Sequence, residues 1–378
     1  MIPSFSNFRL TLESGVDMST TDQAAKTTVY LTPAGGQHMS AYDGAAWQDV
    51  VSSEISINLT DVQNGTTANG FPQITALTST AGLVVGMAVT GTGIPGSSVI
   101  ASIDSATQVT LNNNATVDAT NSMTFKIPAS KVADLFVYYV NATTMKLVWG
   151  PLWTSATARA TALTTQDSVS VLSGAFSIAG TSYSQGKLKH VGTVCTFTTA
   201  GQTQLTFGRT PAAGGSNPKI GFWNRYNRVR FALTDRESAH SWTRGADASY
   251  RWYTLNASNT HRLEFVLGDN AVDLRCSFML VGGITGGSSQ GYWNGGIGLD
   301  TNTGALPNTT ANGALSPAPY TYGYSPCFSR YDAVVAPGYH YLQLLEMPNN
   351  LSTTTFTADA GLTQTQFCQC WAELEIMA

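Results

Sequence analysis

Charge is what this chain has least of. Only 11% of its 378 residues are Asp, Glu, Lys or Arg, where a soluble domain ordinarily carries roughly a quarter. Solubility must then come from Thr, Ser, Asn, Gln and Gly, a surface chemistry suited to long-lived assembly. Long apolar runs are also missing, and no stretch approaches the ~20 residues needed to cross a bilayer. The opening residues, MIPSFSNFRLTLESG, lack the basic region and apolar core of a signal peptide. Folding in a cytosol is the expectation, with Cys195, Cys276, Cys327, Cys368 and Cys370 as thiols. Cys368-Gln369-Cys370 has no second pair and no histidine beside it, so two small thiols on one face of a strand are expected rather than zinc. The histidines (His38, His190, His240, His261 and His340) are single and scattered, and no G-x-S-x-G occurs. The glycine-rich tract at 282–296 has neither the spacing of a dinucleotide loop nor the lysine of a phosphate loop. No cofactor, metal, nucleic acid or membrane insertion is expected.

What is present is concentrated in residues 219–268. Trp223, Trp242, Trp252, Tyr226, Tyr250, Tyr253 and seven arginines fall within these fifty positions. Ile220 and Phe222, then Val229, Phe231 and Leu233, alternate with polar partners, and Leu263, Phe265 and Leu267 repeat the pattern. Period-2 alternation marks half-buried strands. Asp235-Arg236-Glu237-Ser238 reads as a polar, turn-like break between them. Residues 187–275 hold 12 basic against 6 acidic side chains, while the whole chain has a net charge of −4. The arginines form no run, so pairing with carboxylates and carbonyls is expected rather than a polyanion-binding face.

Short alternating runs bounded by Gly, Pro and Asn recur along the whole chain. They predict an all-β fold: antiparallel β-sandwich or jelly-roll-like domains with a small inserted β module. Residues 1–57 read as an N-terminal β region, with a hairpin joining the strands before and after Gly35-Gly36 and Tyr42 and Trp47 stacked over it. A single helical turn is expected within 17–25. Residues 58–126, almost free of aromatics and rich in Thr, Gly and Asn, read as an inserted module serving as a spacer or decoration. A main domain follows over 127–281. Within it, Gly150-Pro151 is expected to form a rigid turn between Trp149 and Trp153, and 155–162 a short helix. Residues 282–326 form a Gly/Pro/Tyr-rich loop tract, and 327–378 supply closing strands. Tyr320, Tyr322 and Tyr324, at period 2, would present three rings to one side.

The order LESGVDMSTTDQ, TTVYLTPAGGQHMSAYDGAAWQ, LVWGPLWTSATARATALTTQDSVSVLSG, GFWNRYNRVRF with SWTRG, and PGYHYLQLLE resembles a family of structural proteins encoded in the virion gene blocks of tailed bacteriophages. GLVVGMAVTGTGIPGSSVIASIDSATQVTL is similar to a small β module inserted in phage fibre, tail and head-surface proteins. The resemblance implies a non-enzymatic virion component: a tail fibre, fibre-adaptor or tail-associated protein contacting the host surface, or alternatively a head decoration or head-fibre protein. It implies homo-oligomers, trimers foremost, with other virion proteins and a host glycan or receptor as partners. Tyr30, Tyr42 and Trp47 are candidates for docking onto the particle. Tyr226, Trp293, Tyr320, Tyr322 and Tyr324 are candidates for further surface or interface contacts. A glycan-depolymerising tail enzyme is the second alternative, with Glu264, Asp269 and Asp273 as candidate carboxylates, though surface pairing is the expected role of all three and no active site is assigned.

Overall fold

The alternating runs do become strands, and the chain is all-β, assembled from antiparallel sheets. The computed structural model describes residues 5–208, 217–237, 239, 241–249, 251–257, 261–269, 274–284, 293–302, 312–313, 325–348, 353–357 and 370–378. Near the N-terminus, Phe8–Thr11, Thr28–Pro33 and Ile55–Asn58 form a three-stranded sheet, and His38–Tyr42 pairs with Trp47–Val51 as a hairpin. A second sheet is built on Lys189–Cys195, which is buried at every position. It pairs with Val132–Asn141 on one side, and with Val169–Leu172 and Phe222–Asn224 on the other path. Covered on both faces, this strand carries Lys189 and His190 into the interior.

Residues 60–126 close into a small barrel. Six strands run in the order Ile100–Ser105, Gln108–Leu111, Gln73–Thr75, Thr60–Thr67, Ala119–Lys126, Ala88–Gly91. The two ends of that order are joined as well: Ala88 bridges Val99, and the Ile100 amide donates to the Met87 carbonyl at 2.9 Å. Closure removes exposed strand edges. Ile74, Met87, Val89, Val109, Met123 and Phe125 fill its interior. The chain enters and leaves side by side, since Thr60 pairs with Lys126.

The C-terminal part is a two-layer sandwich. One sheet has the order Arg230–Arg236, Trp371–Met377, Leu274–Ile284, Ser325–Ala333. The other has Arg262–Leu267, Gly338–Met347, Asn294–Leu299. In chain order these seven strands alternate strictly between the two sheets. That is the winding of a jelly roll. The layers meet where Gly295 lies against Phe278 and Leu280, so close that a Cβ there would contact both. Ser329 closes the contact by donating to the Gly295 carbonyl at 2.7 Å. The second sheet is extended by Lys219–Ile220, Thr203–Thr206 and Gln23–Lys26, which fuses the sandwich to the N-terminal half through a shared core.

Several local expectations are corrected. The Asp43-Gly44 turn, not the Gly35-Gly36 link, makes the hairpin, because Thr28–Pro33 pairs elsewhere. Residues 17–25 form no helical turn and Gln23–Lys26 is a strand, while 155–162 is irregular. Gly150 and Pro151 lie inside the continuous strand Thr144–Leu152, where Gly150 permits close packing of the Phe136 ring. Asp235 and Arg236 continue a strand rather than breaking it. The boundary drawn at 281 falls within Leu274–Ile284, and the supposed loop tract contains the strand Asn294–Leu299.

Candidate interaction surfaces and buried charge clusters

With so few charges, the position of each is informative. Asp134, on the buried strand Val132–Asn141, accepts from Thr193 Oγ1 (2.7 Å), Trp153 Nε1 (3.1 Å) and both Nε and an Nη of Arg159 (2.7 and 3.1 Å). His190 Nε2 lies 3.3 Å away. Burial alone would raise its pKa, but the His190 and Arg159 partners outweigh it and hold the carboxyl well below the usual range. Arg159 also donates to the Gly268 carbonyl at 2.7 Å, stitching an irregular segment to the sandwich.

A second cluster lies within the jelly roll. His261 sits between Asp235 (3.0 Å from Nδ1) and Glu237 (2.7 Å from Nε2), all three buried. Burial would lower the imidazole pKa, but the two carboxylates carry it up to about 8. Glu237 also accepts from Asn256 at 3.1 Å, and its pKa is drawn down to about 2 because His261 and these donors outweigh its burial. Glu346 is fixed by Arg244 and by Trp242 Nε1 at 2.6 Å. Lys189 is buried with no carboxylate paired to it among the described residues. Its Nζ donates to the carbonyls of Phe5 and Ser40 and to Ser40 Oγ, each at 2.9 Å, and lies 4.6 Å from the Tyr226 ring centre. Burial pulls its pKa down to about 7. These groups are held by neighbouring side chains and carbonyls and act as structural ties, while the buried His190 Nδ1 has no hydrogen-bond partner among the described residues.

Of the candidate carboxylates, Glu264 is buried. It accepts from Asn217 (2.6 Å) and Tyr339 (3.0 Å) and lies 3.6 Å from Lys219 Nζ. It lines a cavity of about 70 Å³ together with Cys195, whose thiol pKa is raised by burial. Asp269 pairs with Arg225, and Asp273 lies outside the described residues. Among the described residues no cluster of three His, Cys, Asp or Glu could hold a metal. Cys195, Cys276, Cys327 and Cys370 are all buried.

The predicted contact residues do not gather into one patch. Tyr42 and Trp47 are in ring contact, with centroids 5.4 Å apart, but their planes are tilted by 53° rather than stacked. Trp47, however, is 8% exposed, packs on Val169 and Val171, and donates to Asp167 at 3.1 Å. It fastens its hairpin to this chain's own sheet. Tyr30 is half-buried between the paired strands, and Tyr226 is half-buried over Lys189. Trp293 is a correction: it is a core residue, 2% exposed, edge-on to Phe356 in the sandwich. Tyr320, Tyr322 and Tyr324 lie outside the described residues.

The barrel carries a surface that composition did not single out. Its strands run from the body at Thr60 and Lys126 to a far end where Thr67 pairs with Ala119. Three loops, 68–72, 92–99 and 112–118, meet there. They brace one another: Ala115 N donates to Phe71 O (2.8 Å), Thr116 N to Gly93 O (2.9 Å) and Asn69 N to Asp118 Oδ1 (2.8 Å). On this rigid tip Phe71 is 60% exposed and Val117 38%. At the opposite end a cleft of about 470 Å³ separates barrel from body, lined by Glu54, Asn58, Asp61, Tyr138 and Lys146 among others.

No protein family matches the chain, and no curated protein matches it. Among solved structures, it is similar to a chain in "Structure of infectious bursal disease virus Gx strain", at 13% identity over 84% of this chain and 76% of that one. The TM-score is 0.24, too low to carry an argument about fold or function.

Proposed function

We propose that this chain is a non-enzymatic structural component of a virus particle of the tailed-bacteriophage type its sequence resembles, placed on the tail as a fibre, adaptor or receptor-contacting protein. The observation that carries the outward-facing role is the barrel tip. A module that enters and leaves through adjacent strands ends in cross-braced loops bearing an exposed phenylalanine, which its own fold does not require. The low charge and the hydrogen-bonded burial of Asp134, Glu264 and Glu346 support a building block over an enzyme. A head-surface decoration is the second reading. It is favoured by the jelly-roll winding, an architecture used by capsid domains and also by lectins, which is a fold-level analogy.

Label placed on the barrel in intact particles distinguishes the two. Label at a few tail positions is expected, and label over the whole head would replace the tail reading with decoration. Phe71→Asp is expected to reduce host adsorption without moving the thermal midpoint, since the ring is mostly in water. Unchanged adsorption would remove the receptor-contact role.

A further inference from the structure

The outer face of the first jelly-roll sheet is uncovered among the described residues, and its register arranges side chains in rows. Along Leu274–Leu280 and Trp371–Met377, even-numbered residues point into the sandwich and odd-numbered ones point out, whereas both faces are buried at 281–283. Pairing sets Arg236, Trp371, Met279 and Phe328 side by side in one outward row. The next row is Thr234, Glu373, Ser277 and Arg330, and the third is Ala232, Glu375, Arg275 and Asp332. The first row is an apolar band with an arginine at one end, and Phe328 within it is 52% exposed. The third row is a charge lattice: Arg230 pairs with Glu375, Arg275 with Asp332 and Glu375, and Arg330 with Asp332.

Two charges are left over. Among the described residues neither Arg236 nor Glu373 has an ionic partner, although they are diagonal neighbours on adjacent strands. One spare cation and one spare carboxylate on the same face are self-complementary. A twofold axis running between them sets Arg236 of one copy over Glu373 of the other and the reverse, with Trp371 beside the axis. An isologous contact requires each patch to be its own complement, and an apolar band flanked by charges is the anatomy of a protein interface.

We infer that this sheet face, centred on Trp371, Met279 and Phe328, is the contact with a second copy of the chain, closed by reciprocal Arg236–Glu373 pairs. The pairing rests on self-association and not on whether the particle position is tail or head, so its failure leaves the proposed function standing. It also departs from the threefold association that the family resemblance implies.

Sedimentation at micromolar concentration is expected to give a species of twice the 40.0 kDa chain mass. Arg236→Glu and Glu373→Arg are each expected to weaken the dimer about tenfold or more, and the double reversal to restore it. Phe328→Asp is expected to give folded monomers that still unfold in one cooperative transition, because the ring is half in water and the only stability lost is that contributed by association. A monomer in the wild type, a trimer, or a dimer indifferent to both single reversals would each overturn the inference.

Discussion

At the scale of single residues, several of the scarce charges lie inside, among them Asp134, Lys189, Asp235, Glu237, Glu264 and Glu346. His261 is held by two buried carboxylates, and the folded state raises its pKa from 6.5 to about 8. Its contribution is therefore fully present below pH 6.5 and is lost as the pH rises through 8. The size is about 2 kcal/mol for a shift of this extent. Lys189 titrates in an overlapping range with the opposite sign, so the informative quantity is a difference. The gap in thermal midpoint between wild type and His261→Gln is expected to be widest below pH 6.5 and to narrow through pH 8 to 9. A gap independent of pH would show that the imidazole is not charged in the fold. Arg159→Met tests the other cluster. It leaves Asp134 buried with one cationic partner fewer, and a loss of about 3 kcal/mol is expected in denaturant titration. A loss below about 1 kcal/mol, the range of surface pairs, would mean that His190 alone suffices.

At the scale of elements, the barrel is the separable part. Thr60 and Lys126 are opposite each other in an antiparallel pair, so their Cα atoms are about 5 Å apart and a short linker spans them. Replacing residues 61–125 with two or three glycines is expected to leave a remainder with a β-type far-UV spectrum and one cooperative transition. Failure to fold would show that the barrel-side contacts at Gly86 with Leu152 and at Gly180 with Ser105 are integral to the body. The hairpin His38–Tyr42/Trp47–Val51 is not separable in this way. Trp47 and the Lys189 hydrogen bonds to Ser40 and Phe5 bind it to the buried strand Lys189–Cys195.

At the scale of the whole molecule, the parts divide by face. The barrel tip, with Phe71, points away from the body. The sandwich exposes one sheet whose outer rows are apolar at one end and ionic at the other. The two surfaces lie on different domains, so self-association and outward contact are expected to be independent. Phe71→Asp is expected to leave the sedimentation behaviour of the chain unchanged, and an altered mass would place the tip in the oligomer interface instead.

What the sequence determined by itself was the class of structure. Alternation at Phe231 and Leu233, or at Leu263, Phe265 and Leu267, is a local property, because side chains of a strand point to opposite faces by geometry alone. The Thr/Gly/Asn composition of 58–126 likewise marked a unit distinct from its flanks. Partners were beyond its reach. Asp235 and Glu237 looked like a polar break because nothing nearby reveals that His261 folds between them. Trp293 looked like a surface aromatic because nothing near it in sequence reveals that Phe356 packs over it. Phe71 passed as one ring in a poor module, and Trp371, Met279 and Phe328 come from three distant segments. Burial, pairing and shared faces depend on register between strands up to a hundred residues or more apart, as with Arg236 and Trp371. That register is set by the tertiary structure, through the packing of both layers at once.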